Sequence, residues 1–127
     1  MANPNIVSVT DIRGKTDFYT VLTTPYTLLL NASASGQVFK MNTIWVTNTT
    51  TDSIYVSMQI IRPIPSGGGG PPVLTTYLIL SNVLVPTNSV VVLVSKDASF
   101  YLLEGDDLQI SASATGLRAL TSYEVIS

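Results

Sequence analysis

The stretch Ile54-Tyr55-Val56-Ser57-Met58-Gln59-Ile60 alternates strictly, with Ile54, Val56, Met58 and Ile60 on one face and Tyr55, Ser57 and Gln59 on the other. A period of two belongs to a strand with one buried and one wetter face. Leu108, Ile110, Ala112 and Ala114 set against Gln109, Ser111, Ser113 and Thr115 repeat it. Elsewhere, short runs rich in Val, Ile, Thr and Tyr are separated by clusters of Asn, Asp, Gly, Ser and Pro, the chemistry of strands and turns. Candidate strands cover residues 5–10, 18–22, 26–30, 37–48, 53–61, 75–84, 89–95, 99–103, 108–113 and 117–126, and no stretch reads as a long helix. Roughly eight to ten such strands in one short chain predict an all-β fold, a two-sheet β-sandwich of jelly-roll type. At 127 residues, positions 1–127 form a single domain large enough to build its own core.

Two segments break the pattern. Residues 63–72 carry four consecutive glycines, Gly67, Gly68, Gly69 and Gly70, bracketed by prolines. Glycine loses the most conformational freedom on ordering, so a long, mobile loop between two strands is expected there. The run Val90-Val91-Val92-Leu93-Val94 is apolar at every position. A strand of that kind needs cover on both faces, so one face is expected in the core and the other at an interface. These five residues and the four glycines are the candidate contact residues.

The composition excludes more than it proposes. Histidine and cysteine are absent, which removes Ser-His-Asp and Cys-His catalysis, disulfides, and zinc sites built on those ligands. Only Glu104, Asp106 and Asp107 form a close acidic group. Their spacing is not that of an EF-hand, and a hairpin turn with positive φ at Gly105 and Asp106 as its cap is the simpler reading than calcium. The glycine run is not followed by Lys-Ser/Thr and a helix, as a phosphate-binding loop requires. No catalytic, cofactor-binding or metal-ligating residue is therefore assigned.

Six tyrosines, Tyr19, Tyr26, Tyr55, Tyr77, Tyr101 and Tyr123, fall in or beside strands, where half-buried packing competes with sugar stacking. Trp45 reads as core or interface. The net charge is -2, with six basic residues scattered along the chain, so no electrostatic footprint for nucleic acid is present. No apolar run approaches the roughly 18 residues that span a bilayer, and the first residues lack a signal-peptide pattern, so no membrane partner and synthesis in a cytoplasm without export are expected. Asn31-Ala32-Ser33 and Asn48-Thr49-Thr50 match the glycosylation pattern only by chance in a Ser/Thr-rich chain. The chain is 46% hydrophobic and 11% charged, against about 25% charged in an ordinary soluble domain. With a mean hydropathy of +0.39, it has more apolar surface than a monomer readily hides.

Several phrases resemble one known group. They are Tyr26-Thr27-Leu28-Leu29-Leu30-Asn31-Ala32, then Ser35 through Ile44, the run from Val90 with Ser95-Lys96-Asp97, Tyr101-Leu102-Leu103-Glu104-Gly105-Asp106-Asp107 through Ala112, and the ending Ser122-Tyr123-Glu124-Val125-Ile126-Ser127. In that order they resemble small virion structural proteins of tailed bacteriophages, particularly phages of cyanobacteria. The resemblance implies a non-enzymatic virion protein assembled in the host bacterial cytoplasm. It implies a capsid decoration or cement role on the major capsid protein, with a neck, tail or fibre attachment as the alternative. A homo-oligomer follows, taken as a trimer by analogy with decoration proteins at three-fold positions. The glycine-proline segment departs from the short connection expected in the group. A carbohydrate-binding module on the same sandwich is the rival from a different class.

Overall fold

The computed structural model describes residues 11–127. The strand expected at residues 5–10 lies outside them. Nine strands follow in order: β1 (Ile12–Thr20), β2 (Tyr26–Leu30), β3 (Val38–Asn48), β4 (Ile54–Ile64), β5 (Val73–Val85), β6 (Ser89–Val94), β7 (Phe100–Leu102), β8 (Asp107–Ala112) and β9 (Leu117–Ile126). A single 3-10 turn at Lys96–Ala98 is the one helical element among the described residues.

With β7 set aside, the pairing is that of one long hairpin. β1 pairs with β9, β2 with β8, β3 with β6 and β4 with β5, all antiparallel. Rolling this ribbon brings β9 against β3 and β8 against β4. Two sheets result, β1-β9-β3-β6 and β2-β8-β4-β5, the topology of a jelly roll. The short β7 pairs with β3 at Phe39, Lys40 and Met41, on the same side as β6.

Alternation in the sequence becomes the core between the sheets. Ile54, Val56 and Met58 of β4 and Leu108, Ile110 and Ala112 of β8 face Met41, Ile44 and Val46 of β3 and Leu117, Ala119 and Tyr123 of β9 in one buried cluster. Each large apolar side chain enclosed there contributes roughly 1.5–3 kcal/mol. Fully buried asparagines hold the two ends of β3. Asn31 donates through Nδ2 to the carbonyls of Gln37 (2.9 Å) and Leu102 (3.0 Å), and Asn48 to those of Asp52 (2.8 Å) and Val85 (3.0 Å). These are the asparagines of the two glycosylation-like triplets. Their amides are spent inside the fold.

Two expected boundaries move. The first described strand is Ile12–Thr20, not residues 18–22. It is an edge strand exposed along almost its whole length, with Arg13, Lys15 and Asp17 on one face, so it never shows an apolar period. The loop is also shorter than residues 63–72. β4 continues through Pro63 to Ile64 and β5 starts at Val73, leaving residues 65–72 as the tip of a long hairpin. Proline is tolerated at position 63 because the pairing of β4 with β8 stops at Ile61, so β4 has only β5 beside it there.

Candidate assembly interface

The outward-facing side chains of the two sheets differ in kind. In the β1-β9-β3-β6 sheet, Val92 lies opposite Trp45, Trp45 opposite Leu120, and Leu120 opposite Phe18. Directly paired residues share a face, so these four form an apolar row across all four strands. Phe18 is 79% exposed, Val92 54% and Trp45 38%, while Leu120 is half-buried. Val90, also exposed, extends the row along β6. Next to it Arg118 donates from Nη1 to Thr20 Oγ1 at 2.9 Å, a polar border.

The run from Val90 to Val94 thus divides as a doubly apolar strand should. Val91 and Leu93 pack against the core and Val94 is buried, while Val90 and Val92 face outward. Trp45 joins the outer set, a placement its sequence position left open between core and interface.

The β2-β8-β4-β5 sheet has an outer face of another chemistry. Gln59 lies opposite Gln109, and Gln109 opposite Thr27; Ser57 lies opposite Ser111. Gln59 Nε2 donates to Gln109 Oε1 at 2.9 Å, and Gln109 Nε2 to Asp107 Oδ2 at 3.0 Å. The centre of this face is an amide ladder joined by these two hydrogen bonds. Exposed apolar residues flank it on the same face, Leu30 on β2, Tyr55 on β4 and Leu74, Leu78 and Leu84 on β5.

The acidic turn is a structural joint. Gly105 has φ +88°, and a Cβ there would sit 2.8 Å from Pro63 Cγ. Asp106 is fully buried and does cap the turn, accepting the Leu103 N–H through Oδ2 at 2.8 Å. It also receives Arg62 in a two-point contact, Nε to Oδ1 at 2.8 Å and Nη2 to Oδ2 at 2.7 Å. That hydrogen bond, opposed by burial and reinforced by the charge of Asp106, holds the Arg62 guanidinium above its ordinary pKa. A paired fork of this kind fixes geometry as well as energy. It pins the β4–β5 hairpin to the turn before β8. Sequence reading counted Arg62 only as one scattered base, because its partner is 44 positions away.

Gly67, Gly68, Gly69 and Gly70 are all exposed at the hairpin tip. Gly69, with φ +75°, and Gly70 border a hollow of about 430 Å³ with Ser33, Pro63 and Glu104. No group of three or more acids converges as a metal site among the described residues. The exposed tyrosines Tyr26, Tyr55, Tyr77 and Tyr101 sit on β2, β4, β5 and β7, four different strands. Tyr26 stacks on Tyr19, with ring centres 6.3 Å apart.

The sequence matches no protein-family model and, at a significant level, no curated protein. Solved structures do match. A chain from a viral particle of infectious bursal disease virus is 15% identical with a TM-score of 0.51, covering 94% of this chain and 32% of that one. A subunit of the disulfide-linked pili of Bacillus endospore appendages is 15% identical with a TM-score of 0.47, covering 99% of this chain and 95% of that one. A VP2 subviral particle of infectious bursal disease virus gives 14% identity and a TM-score of 0.45, with 94% and 33% covered. The likeness is one of fold. This chain spans about a third of the length of the viral chains it matches.

Proposed function

We propose that the protein is a non-enzymatic structural subunit of a virion, whose outer Trp45 face docks on a shell of other proteins. The observation that carries this reading is the row Val92–Trp45–Leu120–Phe18 with Val90 beside it. Contiguous exposed apolar surface of this kind marks a contact site. The jelly roll it sits on supports the reading, since a viral particle chain has the same fold. Capsid decoration on the major capsid protein is the position that the phage resemblance favours, with neck, tail or fibre attachment as the alternative.

The four side chains of this row are on average about half exposed, so covering them stabilises a complex by roughly 3–6 kcal/mol, against an association cost on the order of 4–15 kcal/mol. One such row does not make a tight complex alone. A repeating shell offers many equivalent sites, and copies held together on it gain from high effective concentration. The test replaces Trp45 and Val92 by lysine in the gene carried by the virus. The expected result is a folded chain missing from purified virions. A doubly substituted chain incorporated at wild-type levels contradicts the reading. Electron microscopy of labelled virions then separates shell from tail. Binding to a glycan array instead supports the carbohydrate alternative.

A further inference from the structure

The free edge of β5 is the second unfinished surface, and it lies in the sheet opposite the Trp45 row. Among the described residues β5 pairs only with β4, and none of them places a strand beside the other row of its N–H and C=O groups. Edge strands are usually blunted by charge, proline or shortness. β1 carries Arg13, Lys15 and Asp17, and β2 is five residues long. β5 has thirteen residues with neither a charge nor a proline. Its segment Val73-Leu74-Thr75-Thr76-Tyr77-Leu78 pairs regularly with β4, without a register shift. Leu74 is 71% exposed and Leu78 62%. A six-residue segment of high β-propensity, uncharged and free of Pro and Gly, is the composition that pairs strand to strand.

We propose that this edge pairs with the same edge of a second copy, antiparallel about a two-fold axis through Thr76. The occupant must be extended, uncharged and apolar over this length, and β5 of another copy meets each requirement without juxtaposing like charges. The register follows from face and length. A two-fold axis normal to the sheet keeps outward residues outward, so the axis passes through a residue and not between two. The regular stretch is bounded by Pro72 at the hairpin tip and by the shift that follows Leu78, so Thr75 and Thr76 are its middle residues, and an axis at Thr76 is the one that pairs the exposed Leu74 with the exposed Leu78. Leu74 then faces Leu78 of the second copy, Thr75 faces its Tyr77, and Thr76 faces its Thr76. Apolar and Thr–Thr pairs of this kind favour association. Five paired residues, 74–78, run only about 17 Å, so the interface falls below the roughly 1,200 Å² of a standard stable complex. The pair is a weak dimer in solution, and it forms two copies where the phage resemblance implies three.

The chain has no cysteine, so single cysteines report the contact directly. Across the axis the two Thr76 Cα atoms lie about 4.5–5.5 Å apart, inside the range a disulfide spans. Under mild oxidation, Thr76→Cys is expected to form covalent dimer at least about tenfold faster than Thr20→Cys on the charged β1 edge. Leu78→Lys in the Thr76→Cys background is expected to reduce the rate to the Thr20→Cys level, with the circular dichroism spectrum unchanged because Leu78 is exposed. Val92→Lys leaves the rate unchanged, which separates this contact from shell docking. Thr76→Cys cross-linking no faster than Thr20→Cys, or indifferent to Leu78→Lys, overturns the proposal, including when β5 proves to be covered by a strand of another protein.

Discussion

The two sheets present the same kind of inner face and outer faces whose centres differ: amides in one, an apolar row in the other. Behind Ile54, Val56 and Met58, the β2-β8-β4-β5 sheet carries a hydrogen-bonded ladder of Gln59, Gln109 and Asp107. Behind Ile44 and Val46, the β1-β9-β3-β6 sheet shows Val92, Trp45 and Phe18. Water completes the first face. The second would gain by losing water, which is why we propose that a neighbour covers it.

The sharpest way to break that contrast uses adjacent residues of β6 that point in opposite directions. Val91→Lys puts an ammonium against the core and is expected to lower unfolding free energy by about 3 kcal/mol, read by urea titration. Val92→Lys is expected to stay within about 0.5 kcal/mol of wild type, as surface changes do. Equal losses from both substitutions refute the assignment of the two faces.

A middle-sized effect tests whether the β4–β5 hairpin is held within the monomer. Arg62→Ala leaves the fully buried Asp106 carboxylate without its cation. Breaking a buried pair costs roughly 3–5 kcal/mol, and the 36% exposure of the Arg62 side chain lets water recover part of it, so about 2 kcal/mol is expected. Thermal denaturation measures it. A neutral result shows that packing alone, such as Pro63 against Gly105, holds the hairpin.

The smallest effect separates the two sides of β1. Its Phe18 faces outward, whereas Asp17 turns in to accept the Tyr123 hydroxyl at 2.7 Å. Burial, then the hydrogen bond and charge of Asp17, raises the Tyr123 pKa far above its ordinary 10.0. Above pH 10 the unfolded chain gives up this proton while the folded chain keeps it, so stability present below pH 10 is lost progressively as the pH rises toward the folded value. Wild type should lose stability more steeply than Tyr123→Phe between about pH 10 and 11. Parallel curves contradict the burial of the Tyr123 hydroxyl beside Asp17.

The sequence made half of this contrast legible. Period-two runs marked β4 and β8 and sorted their inner from outer residues, and the apolar run at Val90 marked β6 as a strand apolar on both faces. Trp45 and Phe18 did not announce themselves as partners of Val92, because that row depends on register between strands far apart in the chain. β1 was misplaced for the same reason that it is an edge: exposed on both faces, it is under no demand to alternate. Pro63 read as the end of a strand, since a local rule cannot know that the neighbouring strand has already stopped. Arg62 and Asp106 are 44 positions apart, and no local signal links them.

The most direct test of the docking claim is a thiol footprint on assembled particles. Val92→Cys on the apolar face and Ser111→Cys on the amide-ladder face each introduce the sole cysteine of the chain. Alkylation of the free protein should label both. In virions that carry the chain, the account predicts that the thiol at position 92 is protected at least tenfold relative to the free protein while that at position 111 reacts as before. Equal labelling of the two in the particle, or protection at position 111 alone, contradicts it.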